Sequence, residues 1–112
     1  MNKRYTLKKP SDFRRLYSRG ESAVTPYMVV YCRRGRGEGN RAGFTVSKKL
    51  GNAVTRNRAR RRLREIFRLN RHMLKPGYDF ILVARGKSVD GEYSKMNAAF
   101  LDACRRLGAI SE

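Results

Sequence analysis

A chain of 112 residues, 40% of them hydrophobic, is sized for one domain with one buried core and is too apolar to be wholly disordered. No run approaches the roughly 18 apolar residues of a membrane span, and the basic start, Met1 to Pro10, is not followed by the apolar stretch of a secretory leader, so a cytoplasmic protein with no membrane partner is expected. Lys and Arg number 27 against 9 Asp and Glu, a formal net charge of +18, which repels itself and attracts polyanions.

Nineteen of the cations are Arg, the residue better suited to bidentate phosphate contacts and to stacking on bases. Nucleic acid is therefore the expected partner. An anionic membrane would call for an exposed, strongly apolar helix face that the sequence does not offer. Cys32 and Cys104, even with the single His72, are too few for a zinc site. Both lie in apolar patterns and are expected as buried, reduced thiols.

In chain order, Pro10 to Gly20 reads as a short helix, with Ser11 or Asp12 able to cap its start and Gly20 able to end it. Phe13, Leu16 and Tyr17 recur at i, i+3 and i+4 and give it an aromatic-apolar face. Ala23 to Arg33 reads as one strand with Pro26 at an edge or bulge. Arg34 to Asn40 is a glycine-rich turn, and Arg41 to Ser47 is expected to return as a hairpin partner. Thr55 to about Leu74 is the clearest helix, capped by Asn52 or Thr55 and stopped by Pro76-Gly77. Tyr78 to Ala84 is apolar almost throughout, as for a central strand covered on both faces. Met96, Phe100, Ala103, Cys104 and Leu107 mark a last amphipathic helix, ended by Gly108. The order helix, two or three strands, helix, strand, helix predicts an α+β fold in one domain spanning 1–112.

From Gly39 to Arg64 the chain carries nine Lys or Arg and no acid. At about 100° per residue, Ala59, Leu63, Ile66, Phe67, Met73 and Leu74 share an arc of roughly 120° that should face the sheet. Asn57, Arg60, Arg61, Arg64, Arg68 and Arg71 fall on the neighbouring arc. Like charges at i, i+4 cost a few tenths of a kcal/mol per pair, a cost that a phosphate backbone would offset. A generic solvated helix alternates its signs, and a flexible localisation tract would not bury Leu63. Ser47, Lys48 and Lys49 precede the helix and can add phosphate contacts. Phe13 and Tyr17, with Arg14 and Arg15 beside them, read either as ordinary core or as a stacking platform for single-stranded RNA.

The run Phe44-Thr45-Val46-Ser47-Lys48-Lys49-Leu50-Gly51-Asn52-Ala53-Val54-Thr55-Arg56-Asn57-Arg58-Ala59-Arg60-Arg61-Arg62-Leu63-Arg64-Glu65 closely resembles the signature of the bacterial ribonuclease P protein subunits, Arg56-Asn57-Arg58 matching their "RNR" motif. Leu7-Lys8-Lys9, Asp12-Phe13, Tyr17, Gly20 and the strand Tyr78 to Arg85 extend the resemblance from about Leu7 to Leu107. Arg60 stands where the family often has Lys, and Tyr17 where it often has Phe.

The resemblance implies a small mixed sheet of about four strands packed with three helices, like the second domain of ribosomal protein S5, with a left-handed βαβ crossover between the strands flanking the RNR helix. That hand would not be expected otherwise, since nearly all such crossovers are right-handed. It also implies that a partner RNA, ribonuclease P RNA, carries the catalytic centre and cleaves the 5′ leader from precursor tRNA with Mg²⁺. By position, Arg56, Asn57, Arg58, Arg60, Arg61, Arg64, Arg68, Lys48 and Lys49 correspond to the face for the catalytic RNA. Phe13, Tyr17, Tyr31 and Ser47 correspond to the leader cleft. The protein itself, expected as a monomer, should carry no catalytic residue and no metal, because its acids are scattered and His72 is alone. Three other readings remain as comparators: a ribosomal or RNA-chaperone protein, a self-contained metal-dependent nuclease, and a basic DNA-binding protein.

Overall fold

The computed structural model describes residues 6–35, 37 and 39–111. Helix α1 (Pro10–Arg19) leads to strands β1 (Glu21–Val24), β2 (Met28–Arg34) and β3 (Arg41–Thr45). A 3₁₀ turn (Lys48–Leu50) and the long helix α2 (Ala53–Asn70) follow, then β4 (Tyr78–Ala84), a one-turn helix α3 (Lys87–Asp90) and α4 (Tyr93–Arg106). The four strands form one sheet in the order β1-β2-β4-β3. β1 with β2 and β2 with β4 are antiparallel, and β3 with β4 is parallel. The fold is α+β with a mixed four-stranded sheet, as expected, and β3 and β4 are the parallel neighbours that α2 joins.

Three expectations are corrected. The stretch Ala23 to Arg33 is not one strand but a β1–β2 hairpin. Pro26 has no N–H for a ladder, and Thr25 (buried) organises the reversal: its N–H and hydroxyl both donate to the Met28 carbonyl at 2.9 and 2.8 Å, and its Oγ1 accepts from Met28 N at 3.0 Å.

The second correction is that β3 does not pair with β2. β4 lies between them, with Ile81 opposite both Tyr31 and Gly43. The physical reason is burial. β4 is the most apolar strand; at an inside position both of its edges are paired and both of its faces lie under helix layers, while the less apolar β1 and β3 are left as edges.

The third concerns helix ends. α1 starts at Pro10, with no side-chain cap from Ser11 or Asp12. Pro at the first turn needs no donor, and Asp12 instead places its charge near the positive end of the helix dipole. α2 starts two residues before Thr55, with the Asn52 side chain accepting from Thr55 N at 3.0 Å. β3 stops at Thr45 and does not run to Ser47.

The two faces of the sheet carry different layers. Phe80, Leu82, Val30 and Cys32 point into the main core under α2 and α4. Phe67 of α2 is its hub, with ring centroids 6.2 Å from Phe44, 5.7 Å from Phe80 and 6.3 Å from Phe100. Such pairs add about 0.5–1.5 kcal/mol each beyond burial, and these three tie α2 to β3, β4 and α4. Asn70, also buried, donates through Nδ2 to Ile66 O (2.8 Å) and Asn97 Oδ1 (2.6 Å), linking α2 to α4. On the opposite face Ile81 packs with Leu7 and Leu16, and Phe13, Tyr31 and Val83 close around them. Both cysteines are buried free thiols. Burial pushes Cys32 up to about 11, with Glu21 adding to it, and Cys104 up to about 12.

Candidate nucleic-acid interface

Two surfaces are built on this scaffold, one by each outer layer. On α2, Ala59, Leu63, Ile66 and Phe67 are fully buried, so the helix is fixed in rotation and its polar residues are fixed with it. Arg61, Arg64, Arg68, Asn57 and Arg58 are exposed, and Arg56 and Arg60 are partly covered. Arg60, Arg64 and Arg68 follow one another at i, i+4 and form a single ridge.

Local contacts set the posture of this ridge. Arg60 Nη1 donates to Asn57 Oδ1 at 3.0 Å. The Arg64 guanidinium lies 5.9 Å from the Phe44 ring centroid, a cation–π placement. Arg68 pairs with Glu65 through Nε at 3.1 Å and Nη2 at 2.5 Å, which offsets part of its charge. That hydrogen bond holds the Glu65 carboxyl below its ordinary range and raises Arg68.

Not every expected residue joins the ridge. Arg58 is exposed, but six positions before Arg64 it points about 120° away around the helix. Arg56 lies against the protein, its Nε shielded from solvent and without an acceptor. Lys48 and Lys49 are exposed on the 3₁₀ turn that feeds α2, and Ser47 caps that turn, its Oγ accepting from Lys49 N at 3.2 Å. Arg62 differs from its neighbours. It donates to the Ser88 carbonyl at 3.1 Å and to the Gly91 carbonyl, fastening α2 to the α3 turn.

The second surface is a trough between α1 and the open end of the sheet. Tyr17 stands edge-on to Tyr31, centroids 4.9 Å apart at 82°, and its hydroxyl shares a 2.9 Å hydrogen bond with Thr45 Oγ1. Tyr17 is 41% exposed, whereas Phe13 is partly buried among Leu7, Leu16 and Ile81. Of the two readings of the aromatic face, Phe13 is core at the rim and Tyr17 an exposed ring. Val29, Val83 and Thr45 are paired in register across three strands. They share the face of Tyr31 two residues on and, partly exposed, extend that surface across the sheet. Thr45, Val29 and Val83 were not singled out from sequence. The alternation Val29-Tyr31 and Ile81-Val83 carries the signal for the valines, while the Thr45 contact spans 28 residues and has no local signature.

A profile of the family described as Ribonuclease P matches residues 1–108. The chain belongs to the ribonuclease P protein family. It is 40% identical over 106 residues to the ribonuclease P protein component of Clostridioides difficile, covering 94% of this chain and 93% of the relative. It is 44% identical over 101 residues to that of Natranaerobius thermophilus, covering 90% and 88%. Among solved structures it is similar to the Staphylococcus aureus RNase P protein at a TM-score of 0.83 and 31% identity, covering 96% of this chain and 98% of that one. It is also similar to the Thermotoga maritima RNase P protein at 0.79 and 28%, with 96% and 98% covered. Within this ribonuclease P family chain, consecutive residues of one edge strand serve the two surfaces: Phe44 underlies Arg64 of the ridge, and Thr45 bonds Tyr17 of the trough.

Among the described residues no group of three His, Cys, Asp or Glu side chains is placed to hold a metal ion, and no helix is long and apolar enough to cross a membrane.

Proposed function

We propose that this chain is the protein subunit of a cytoplasmic ribonuclease P ribonucleoprotein, one RNA-binding domain that acts as a monomer beside ribonuclease P RNA. The partner RNA carries the catalytic centre, uses Mg²⁺ that it binds itself, and removes the 5′ leader from precursor tRNA. The protein holds that RNA through the ridge of Asn57, Arg60, Arg61, Arg64 and Arg68, with Lys48 and Lys49 on the turn before it and Arg56 and Arg58 on its flanks. The single-stranded leader lies in the trough of Phe13, Tyr17, Tyr31 and Ser47, joined by Thr45. No residue of the chain reacts.

The observation that carries this reading is the adjacency at β3. A cationic ridge for a folded RNA and an aromatic trough for a single strand are served by neighbouring residues, Phe44 and Thr45, so one protein can grip catalyst and substrate at once. Stacking on exposed rings contributes about 1–3 kcal/mol per base and tolerates any sequence, as a leader that differs between precursors requires. The ridge neutralises phosphates, which lowers repulsion between two RNAs and the demand for Mg²⁺.

The test is cleavage of a precursor tRNA at low Mg²⁺ with protein alone, with a bacterial ribonuclease P RNA alone, and with both. Cleavage at the mature 5′ end with both, and little with either alone, is expected. Cleavage by repurified protein alone would make the chain a nuclease. Failure of the protein to stimulate the RNA would favour a ribosomal or chaperone role.

A further inference from the structure

The flank of α1 that faces away from the trough borders a separate cavity of about 220 Å³. α1 contributes Asp12, Arg15 and Arg19 to it, the end of β2 contributes Arg33 and Arg34, and Asp79 of β4 forms part of the floor. A second hollow of about 180 Å³ adjoins it and shares Arg19, Arg33 and Arg34, with Glu21 and Tyr78 on its own wall.

The acids of the first cavity are already engaged. Asp79 accepts a two-pronged contact from Arg41, Nε at 3.1 Å and Nη2 at 2.8 Å, and that hydrogen bond raises the Arg41 pKa. Asp12 lies 3.8 Å from Arg41 Nη1 and 4.0 Å from Arg15 Nη1. Arg33 is the cross-strand neighbour of Asp79, yet the carboxylate turns to Arg41 on the other side. Among the described residues, Arg19, Arg33 and Arg34 pair with no carboxylate. Among the described residues, the four lining arginines plus Arg41, less Asp12 and Asp79, leave three positive charges around one concavity. Gly35 keeps this end compact, because a Cβ there would stand 2.7 Å from the Asp79 carboxylate.

We propose that this cavity is a second anion site of the protein, distinct from ridge and trough, and that it takes a phosphate group. Guanidinium forks match phosphate oxygens in geometry and charge, and the concave shape concentrates the field of several cations on one ligand. The phosphate comes either from an RNA backbone reaching behind α1 or from a free small phosphate. In both cases occupancy braces the helix whose other flank carries Phe13 and Tyr17. The site rests on the cavity's own charges and stands whether or not the chain works as a ribonuclease P subunit.

The experiment is a titration of the full chain with pyrophosphate at constant ionic strength, followed by the side-chain Nε–Hε signals of the arginines in NMR. Signals of Arg15, Arg19, Arg33 and Arg34 are expected to shift together and saturate. The double variant Arg19→Gln and Arg34→Gln, both exposed positions, should weaken pyrophosphate binding about tenfold or more. Saturating shifts confined to the α2 arginines, or unchanged pyrophosphate affinity in the folded double variant, would overturn the proposal. A second arm separates the sources. If an RNA phosphate is the occupant, the variant flattens the salt dependence of RNA binding by roughly 0.7–0.9 per lost contact. If the occupant is a free phosphate, pyrophosphate binding is lost while that slope is kept.

Discussion

Gly43 lies directly beneath the ring of Phe13: a Cβ at position 43 would stand 2.5 Å from Phe13 Cζ and 2.6 Å from Cε1. The bare backbone of β3 is what lets the aromatic ring of α1 settle onto the sheet beside Leu7.

Gly43→Ala is therefore expected to lift Phe13 and shift α1. Overpacking of this kind costs about 1–3 kcal/mol, visible as a lower melting temperature. Affinity for a labelled single-stranded leader RNA should fall more than affinity for the partner RNA, which we propose binds the ridge on the other face. Equal losses for the two RNAs would mean that the trough does not hold the leader.

Arg60→Ala with Arg64→Ala removes two neighbours of the ridge without opening the core. RNA affinity should fall, and the slope of log affinity against log salt should flatten by roughly 0.7–0.9 for each lost phosphate contact. Leaving the slope unaltered would place these two guanidiniums in water in the complex.

Arg62→Ala should behave in the opposite way. Its guanidinium is occupied by the Ser88 and Gly91 carbonyls, and leaving such acceptors without their donor costs about 1–3 kcal/mol. Stability should drop in a denaturant titration while the salt slope of RNA binding stays as it was. A flattened slope with full stability would assign Arg62 to the RNA face after all.

With pKa values pushed up to about 11 and about 12, Cys32 and Cys104 hold about one thiolate in a thousand or fewer at pH 8. A thiol reagent at that pH should label the native chain slowly and the unfolded chain fast. An unfolded thiol loses its proton near pH 8.5–9, so between about pH 9 and the raised native values of about 11 and about 12 the native state binds more protons than the unfolded one. The stability the two thiols contribute is thus complete below about pH 9 and is lost as pH rises. Denaturation midpoints should decline across that window, and less so in Cys32→Ala with Cys104→Ala. An equal decline in both proteins would mean that other groups govern it.

The helix that carries the ridge was legible because its apolar residues recur with the period of a helix, and Ala59, Leu63, Ile66 and Phe67 do face the core. β4 was legible from its unbroken apolar run. Which strands lie beside it was not, because alternation reports which way a side chain faces and says nothing of the neighbouring strand, so β3 was expected next to β2. Arg62 was indistinguishable from its neighbours in a run of arginines until the α3 turn, 26 and 29 residues away, met its guanidinium. The roles of Thr45 and Gly43 likewise depend on a helix that reaches them only in the folded chain.

The insertion of β4 between β2 and β3 also has a consequence for the order in which the protein is made. The β1–β2 hairpin can form as soon as it leaves the ribosome, but β3 has no neighbouring strand, and the inner face of α2 lacks β4 to rest on, until residues 78–84 have been synthesised. Sheets that depend on such distant pairings close late and leave apolar surface exposed meanwhile. For most of its synthesis this chain is a polycation with a half-built core, and it becomes a folded unit only when its last third arrives.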